Sequence, residues 1–211
     1  MDDSKSKIEA YCEAHTTSQS ALLYQLERET YLKTLAPQMA SGHLQGRLLT
    51  LLCQLIQPKI ALEIGTFTGY GSICIASGLG EHGILHTIEV NEELSYISNR
   101  YFENSGLAKK IKSHIGDARD IVPTLSYPFD FVYLDAGKKD YAPHFDLVID
   151  KVQSGGIILA DNVLWSGKVA QKKLDKATQV LHDFNTKVQN DNRVENLLLP
   201  IRDGLMVIRK K

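Results

Sequence analysis

The first quarter of the chain carries apolar residues at the spacing of an amphipathic helix. Between residues 18 and 36 they recur about every 3.6 positions, at Leu22, Leu23, Leu26, Tyr31 and Leu35. Pro37 ends this segment, and residues 43–57 repeat the pattern. We therefore predict that residues 1–57 are helical. Core packing explains these leucines. A partner surface is the alternative for the first helix, which has little chain before it to pack against.

From residue 58 onward, short apolar runs alternate with segments of helical pattern. The runs span residues 59–65, 83–90, 111–116, 129–135 and 155–161. The helical patterns span residues 70–80, 92–106, 141–152 and 174–190. Several runs are apolar throughout, which is typical of parallel strands buried on both faces. We predict an α/β fold with a mostly parallel sheet between layers of helices.

The end of the chain predicts an antiparallel hairpin. Residues 194–201 and 205–210 are both strand-like, and the turn signal Asp203-Gly204 lies between them. The hairpin brings the predicted sheet to seven strands. We find no internal repeat, linker or low-complexity tract. The predicted organisation is therefore a single structural domain, with a helical cap over residues 1–57 and the α/β core over residues 58–211.

Composition narrows the class of protein. A chain of 211 residues can bury one three-layer core, and its 43% hydrophobic and 23% charged content is ordinary for a soluble domain. The net charge of -1 argues against a strongly basic nucleic-acid surface. No apolar run approaches the roughly 18 residues of a membrane span, and the polar N-terminus lacks a secretory signal. Cys12, Cys53 and Cys74 are scattered, as expected for reduced thiols. We expect a cytoplasmic protein without a membrane partner.

Carboxylates follow every one of the five predicted parallel strands. They are Glu63, Glu89, Asp117, Asp135 and Asp161. Ligands of open α/β sheets bind outside the carboxyl ends of the strands, so these side chains should share one edge. Carboxylates gathered there repel one another unless positive charge lies among them. This edge of the sheet is therefore the predicted binding site, and it favours a cationic ligand.

The loop after the first strand, "EIGTFTGYG", is rich in glycine. Gly65, Gly69 and Gly71 allow the backbone to turn sharply and to approach a ligand closely. A dinucleotide site requires the spacing G-x-G-x-x-G, whereas this loop has G-x-x-x-G-x-G and the bulky Phe67. The loop fits a ligand without phosphates better, and it disfavours a nicotinamide dehydrogenase. A purely structural turn is the alternative.

Two strand-end carboxylates suggest a nucleoside. Glu89 follows Gly65 by 24 residues, where a carboxylate can accept hydrogen bonds from ribose hydroxyls. A solvated acid is the alternative for Glu89. Asp117 can accept from an adenine amino group, or it can cap the helix that follows. The two roles of Asp117 are compatible.

The fourth and fifth strands predict a metal site. "YLD" and "ILADN" bring Asp135, Asp161 and Asn162 to neighbouring strand ends. Three oxygen ligands without histidine or cysteine suit a hard cation such as Mg²⁺. The alternative requires the backbone alone to satisfy two buried aspartates and an asparagine.

These segments resemble a known family. "ALEIGTFTGYGS", "IEV", "GDA", "FVYLDAGKKDY" and "LADNVLWSGKV" are similar to motifs of the cation-dependent class I O-methyltransferases. That group contains the caffeoyl-CoA and catechol O-methyltransferases and many bacterial relatives. "PQMASGHLQGRLL" and "LLPIRDGL" extend the resemblance over residues 37–211. The resemblance implies a Rossmann-like class I methyltransferase fold with a C-terminal antiparallel hairpin.

The resemblance also implies a donor, a metal and a set of site residues. S-adenosylmethionine (SAM) would donate the methyl group, and Mg²⁺, or another divalent cation such as Mn²⁺ or Ca²⁺, would anchor the acceptor. By matching position, Glu89 holds the ribose, and Asp117 with Ala118 contacts the adenine. Met39 and Ser41 close over the donor, and the donor pocket includes Glu63, Gly65, Phe67, Gly69, Gly71, Ser72 and Asp135. Asp135, Asp161 and Asn162 match the metal ligands, and Lys138 matches the general base. A homodimer is expected.

The sequence departs from the family pattern at three positions. Gly71 replaces a serine beside the donor carboxylate in many members, a hydrogen bond that Ser72 could supply instead. Gly137 replaces a larger residue, Asp or Trp, beside the metal, which opens the acceptor pocket. Leu197 lies where catechol-specific members have a glutamate, which argues against strict catechol specificity.

The predicted reaction is methyl transfer from SAM to one hydroxyl of a vicinal dihydroxy aromatic. Lys138 must be neutral to accept the hydroxyl proton, and a metal, a sulfonium and burial all lower its pKa. Lys139 is expected to be solvated. Trp165 either forms a wall of the acceptor pocket or packs its loop on the core. A tRNA hydroxyuridine O-methyltransferase is the alternative enzyme, and a non-catalytic SAM-binding protein is the alternative of another class.

Overall fold

Seven strands form one sheet in the computed structural model, which describes residues 3–126 and 128–211. The spatial order is β3-β2-β1-β4-β5-β7-β6. The strands are β1 (Ile60–Ile64), β2 (Ile84–Glu89), β3 (Ile111–Ile115), β4 (Phe129–Leu134), β5 (Val152–Ala160), β6 (Val194–Leu199) and β7 (Leu205–Lys210). The first five strands are parallel, and β7 runs antiparallel to both β5 and β6. The predicted fold is confirmed, including the C-terminal hairpin.

Eight α-helices surround the sheet in the described part of the chain. They are α1 (Asp3–Ala14), α2 (Ala21–Lys33), α3 (Gly42–Ile56), α4 (Tyr70–Gly78), α5 (Ser95–Asn104), α6 (Ala118–Thr124), α7 (Tyr141–Ile149) and α8 (Lys176–Gln189). Short 3₁₀ turns occupy residues 37–39, 92–94, 138–140 and 168–170. No helix in residues 3–126 or 128–211 combines the length and apolar content that a membrane span requires.

The core consists of one buried cluster on each face of the sheet. Side chains of α6, α7 and α8 pack against one face, with Phe145 and Phe184 at the centre. Side chains of α2, α3, α4 and α5 pack against the other, with Leu26 and Leu49 fully buried. Because β1 and β4 lie inside the sheet, both of their faces are covered, which explains their continuous apolar sequence. The division at residues 57 and 58 stays a prediction.

Two elements differ from those predicted. Helix α6, the helix that Asp117 was expected to cap, was given no bounds, because it has only seven residues and Pro123 interrupts its pattern. Strand β5 begins at Val152 rather than at residue 155, and α7 ends correspondingly early. Val152 already pairs with Phe129, and a register shift in the β4–β5 pairing follows. The glycines at 155 and 156 therefore lie within a strand and do not begin it.

Candidate active site

A cavity of about 790 Å³ lies at the carboxyl ends of β1, β2, β3 and β4. It is the structural counterpart of the predicted binding edge. Its lining includes the predicted residues Met39, Gly65, Phe67, Glu89, Asp117, Ala118, Asp135 and Gly137. Residues that the sequence did not single out also line it, among them Arg119, Asp140 and His144. The lining runs from Met39 in a 3₁₀ turn to His144 in α7, so the fold brings together residues 105 positions apart in sequence (144 − 39).

Gly65 allows the first loop to lie directly on the end of β4. Its φ is +109°, and a Cβ atom here would overlap the backbone carbonyl of Asp135. Any larger residue would therefore be excluded by both conformation and space. The Gly65 N–H donates to the carbonyl of Ile88 at 2.9 Å. The loop is thus fixed between β2 and β4, where its backbone forms part of the cavity wall.

Glu89 is held by backbone donors at the end of β2. Oε2 accepts from the Phe67 N–H at 2.7 Å, and Oε1 accepts from the Asn91 N–H at 2.9 Å. Each oxygen still has a lone pair that a ligand hydroxyl can use. Glu89 is therefore an oriented acceptor in the cavity wall, which fits the predicted contact with a ribose better than a freely solvated acid would.

Glu63 lies behind the cavity wall. It is 1% exposed and accepts hydrogen bonds from the hydroxyls of Thr87, at 2.6 Å, and Ser72. Burial raises the pKa of Glu63 to about 7. The Ser72 hydroxyl donates to Glu63 and does not line the cavity. It therefore does not replace the serine that many family members have at the position of Gly71. A Cβ at Gly71 would come within 2.6 Å of Glu63 Oε1.

Two further residues that were predicted to bind the methyl donor also lie outside the cavity lining. Gly69 caps α4 with a φ of +90°, and a Cβ atom there would overlap the Phe102 ring. Ser41 is 5% exposed and lies beside the Tyr133 hydroxyl. Their place in the fold is a supporting one, and their contact with a donor stays a prediction.

Asp117 caps α6 by accepting from the Arg119 N–H at 2.8 Å. It also forms an ion pair with the Arg119 guanidinium, whose Nε lies 2.9 Å from Oδ1. This partner holds the pKa of Asp117 well below its usual range. The predicted capping role is confirmed. Asp117 and Ala118 both line the cavity. This position is compatible with the contact to adenine, which stays a prediction.

Asp135 and Asp161 face a single point. The Tyr133 hydroxyl lies 3.3 Å from Asp135 Oδ2 and 3.2 Å from Asp161 Oδ2. Loss of hydration and then the charge of Asp161 raise the pKa of Asp135 well above its usual range. Burial also raises the pKa of Asp161, and the charge of Arg202 acts in the opposite direction on both carboxyl groups. Among the described side chains, no lysine or arginine forms an ion pair with either carboxylate.

Asn162 directly follows Asp161 at the end of β5. Its φ is +55°, and its N–H donates to Asp161 Oδ1 at 2.8 Å. Its side-chain amide makes no hydrogen bond within residues 3–126 and 128–211. In the same part of the chain, no group of three or more His, Cys, Asp or Glu residues could hold a metal. Two carboxylates without an ion-pair partner among the described side chains, together with one amide oxygen, form a ligand set that fits a hard divalent cation.

A buried glutamine that the sequence did not single out organises this pair. Gln45 of α3 is 1% exposed, and its Nε2 donates to Asp161 at 2.6 Å and to the Tyr133 hydroxyl at 2.5 Å. Arg202 donates to Gln45 Oε1 at 3.1 Å. Because arginine can only donate, it fixes which end of the amide faces the aspartates. The sequence did contain a signal for Gln45: it is a polar residue four positions before Leu49, on the apolar face of the predicted helix.

Lys138 and Trp165 contact each other. The Lys138 Nζ lies 3.1 Å from the centroid of the Trp165 ring. Burial lowers the pKa of Lys138, while Asp203, Asp135 and Asp161 act in the opposite direction. The Trp165 loop is attached to the hairpin turn, since the Leu164 N–H donates to the Asp203 carbonyl at 2.8 Å. Trp165 is therefore placed beside the proposed base and not only against the core. Lys139 is exposed, as predicted.

The two remaining departures from the family pattern lie in different surroundings. Gly137 lines the cavity with an ordinary backbone conformation, φ -60° and ψ 131°. A Cβ there would meet only the flexible Asp140 carboxylate, at 3.2 Å, so a larger residue would fit with a small shift. Leu197 lies on the edge strand β6, where it is 57% exposed and pairs with Val207. It does not line the cavity.

Comparison with known proteins gives consistent matches along the chain. A family model described as O-methyltransferase matches residues 13–211. Caffeoyl-CoA O-methyltransferase 2 of Petunia hybrida is 33% identical over 179 residues, which cover 79% of this chain and 74% of the relative. A catechol O-methyltransferase of Niastella koreensis is 32% identical over 168 residues, which cover 77% of this chain and 76% of the relative.

A solved structure shows the same architecture. The O-methyltransferase TomG from Streptomyces achromogenes, crystallised in complex with SAM, superimposes with a TM-score of 0.91. The two sequences are 27% identical, and the superposition covers 100% of this chain and 99% of TomG.

Proposed function

The chain belongs to the O-methyltransferase family, and we propose that it methylates one hydroxyl of a vicinal dihydroxy aromatic small molecule with the help of Mg²⁺. As a member of this family it is a SAM-dependent O-methyltransferase. The observation that carries the finer proposal is the pair Asp135 and Asp161, which share the Tyr133 hydroxyl and have no ion-pair partner in the described chain. Asp135 lines the cavity at the strand ends, which we assign to the methyl donor and call the donor cavity.

The proposed metal ligands determine which methyl acceptor fits the site. In the proposed site, Asp135, Asp161 and Asn162 would hold a divalent cation, and its positive charge would lower the pKa of a nearby acceptor hydroxyl. Because hard cations take more than three oxygen ligands, a pair of adjacent hydroxyls on one ring would suit such a site. The relatives named for caffeoyl-CoA and for catechol are consistent with such an acceptor.

The other side chains of the proposed site position the methyl donor and the acceptor, and one of them accepts the proton. Phenolic hydroxyls have a pKa near 10 and are poor nucleophiles until the proton leaves. In the proposed mechanism the proton passes to the Lys138 amine as the methyl group moves from sulfur to oxygen. Glu89 and the Gly65 loop hold the donor, and Trp165 offers an aromatic face beside Lys138 for a flat acceptor ring.

One assay panel tests the proposal. Purified protein would be incubated with SAM and either dihydroxyphenols or tRNA, unmodified or containing hydroxyuridine, with and without EDTA. We expect phenol methylation that EDTA abolishes, and methylation of tRNA alone would overturn the acceptor assignment. Turnover that EDTA leaves unchanged would overturn the metal site, and the absence of turnover on every acceptor, with SAM bound, would favour a non-catalytic protein.

A matched pair of variants sharpens the test of the metal site. Asp161→Asn keeps the shape of the side chain but removes one of the two negative charges that the proposed metal requires. Asp183→Asn makes the same chemical change on the exposed face of α8. We expect the first variant to require a much higher Mg²⁺ concentration for half-maximal rate, and the second to behave as the wild type does.

A further inference from the structure

His144 is a buried histidine at the edge of the donor cavity to which neither the motifs nor the mechanism assigns a role. It lies in the first turn of α7, lines the cavity and is 6% exposed. Its Nδ1 is fully buried and has no hydrogen-bond partner in the described chain. Buried polar atoms are nearly always paired, so an unpaired one beside a binding cavity calls for an explanation.

The second ring nitrogen is the one that remains accessible. Nε2 makes no hydrogen bond within residues 3–126 and 128–211, yet it is not among the buried unpaired atoms. The small exposed part of His144 therefore includes Nε2, and this part borders the cavity. An unpaired N–H in an apolar environment is costly. The proton of the neutral ring thus belongs on Nε2, which makes His144 a hydrogen-bond donor towards the cavity.

The ring is neutral despite its acidic neighbours. Burial is the largest influence and lowers the pKa of His144. Asp140 and Asp117 raise it, and Arg119 lowers it. A neutral imidazole with its proton on Nε2 donates one hydrogen bond without adding a positive charge to the cavity.

A hydrogen-bond acceptor lines the same cavity. The Asp117 carboxylate is close enough to His144 for each group to shift the pKa of the other. Of the other lining residues, Ala118 and Gly137 have no polar side chains, Arg119 is paired with Asp117, and Asp140 is a second carboxylate. The edge of an adenine carries the complementary pair, an amino group that donates beside a ring nitrogen that accepts.

We propose that His144 is a donor-binding residue that recognises adenine, with its Nε2–H donating to a ring nitrogen adjacent to the amino group. Asp117 accepts from the amino group itself. The inference rests on the family's use of SAM and goes beyond it, because it assigns base recognition to a side chain outside the matched motifs. His144 together with Asp117 then distinguishes adenine from bases that carry a carbonyl at the amino position.

Calorimetric titration with S-adenosylhomocysteine (SAH) tests the proposal without turnover. His144→Phe keeps the ring and removes both nitrogens, and it should fold well because it also removes the unpaired buried Nδ1. One neutral hydrogen bond is worth about 3- to 10-fold in affinity. We therefore expect SAH to bind His144→Phe about 3- to 10-fold more weakly than wild type. His182→Phe on the exposed face of α8 should bind SAH as wild type does.

Two SAH analogues separate recognition from packing. In 1-deaza-SAH and 7-deaza-SAH, a C–H group replaces N1 or N7, the ring nitrogens on either side of the amino group. We expect wild type and His144→Phe to bind one of these analogues equally, since the acceptor of the hydrogen bond is gone. Equal SAH affinity of the two proteins would overturn the proposal, as would the same loss for SAH and both analogues.

Failure of the donor assignment would look different. If wild-type protein bound no SAH at all, the SAM site itself would be wrong, and the role of His144 would fall with it. If SAH bound tightly and His144→Phe unfolded at a lower temperature than wild type, the ring would have a structural role, and the inference would be overturned.

Discussion

At the residue scale, the environment of each side chain sets its protonation state. Glu63 is buried among hydroxyls and shares no ion pair with any described side chain, so its pKa rises to about 7. Asp117 is paired with Arg119, so its pKa falls. Lys138 is partly buried against Trp165, so its pKa is lowered from its usual value. Carboxylates that look alike in the sequence therefore carry different charges in the folded protein.

Glu63 predicts a pH-dependent stability in the ligand-free protein. Its folded pKa of about 7 lies above the unfolded value near 4.3, so the folded state binds the proton more tightly. Its contribution to stability is therefore largest below about pH 4 and is lost as the pH rises to about 7, a loss of about 4 kcal/mol. We expect Glu63→Gln to remove this loss, so that it unfolds at higher urea than wild type at pH 8.

The comparison at pH 5 supplies the control for this prediction. There the folded wild type is mostly protonated at Glu63, so the gain in unfolding free energy should shrink. Glu103→Gln, an exposed substitution on α5, should change neither value. A gain from Glu63→Gln that is the same at pH 5 and pH 8 would show that Glu63 is ionised in the folded state at both.

Lys138 predicts a large effect on turnover and little on donor binding. General bases contribute about 100-fold or more to rate, so Lys138→Ala should lower kcat by at least that factor and leave the affinity for SAH unchanged. Because burial lowers the pKa of Lys138, the wild-type rate should rise with pH and level off below the ordinary lysine value near 10.4. Lys176→Ala, on the exposed face of α8, should retain the wild-type rate. A Lys138→Ala variant with wild-type turnover from pH 6 to 9 would exclude it as the base.

At the element scale, three distant segments meet above the strand ends. Helix α3 supplies Gln45, the ends of β4 and β5 supply the aspartates, and the turn before β7 supplies Arg202. Besides Gln45, Arg202 donates to the carbonyls of Ala40, at 3.2 Å, and Ser41. One side chain thus connects the N-terminal helices to the C-terminal hairpin across the proposed metal site. The geometry of the carboxylates depends on both ends of the chain.

Gln45 should therefore influence metal affinity from outside the ligand set. Replacing a side chain that orients metal ligands commonly costs about 10- to 100-fold in affinity. We expect Gln45→Met to bind Mn²⁺ at least about 10-fold more weakly than wild type, as measured by electron paramagnetic resonance. Gln54→Met on the exposed side of the same helix should bind Mn²⁺ normally. Unchanged affinity in Gln45→Met would assign this glutamine to packing alone.

At the scale of the whole molecule, the N-terminal helices expose several large apolar side chains. On and just after α2, Tyr31 is 60% exposed, Leu32 is 73% exposed and Leu35 is fully exposed. The opposite side of α2 packs on the core through Leu26. Exposed apolar side chains gathered in one region suggest a surface that another protein covers. The sequence pattern predicted core packing for this segment, and that prediction is wrong for Tyr31 and Leu35.

We propose that a second copy of this chain covers this surface. Light scattering coupled to gel filtration should then give a mass of twice the 23.6 kDa of one chain. Leu32→Glu should shift the protein towards the monomer, because a charge at a dimer interface would be buried without a partner. Leu197→Glu, on the exposed edge strand β6, should stay dimeric. A monomeric wild type at micromolar concentration would contradict the proposal.

The sequence by itself determined the order of the elements and the chemistry of the sheet edge. Helical spacing, apolar strands and turn residues are local signals, and each strand places its last residue at the same edge. For this reason the pattern along the chain is enough to predict that Glu89, Asp117, Asp135 and Asp161 share that edge. The bounds of the short helix α6 and the start of β5 were not predicted, because the local sequence pattern was weak there.

Only the tertiary structure decided which side chains act together. Gln45 contacts Asp161 across 116 residues of sequence, and Arg202 contacts Ser41 across 161. The partners of Ser72 and Lys138, and the unpaired nitrogen of His144, likewise depend on how neighbouring elements pack. Such contacts leave no periodic signal in the chain, because hydrogen bonds and burial are properties of surroundings. Residue type can indicate a chemistry, but the folded environment decides the charge and the partner of each group.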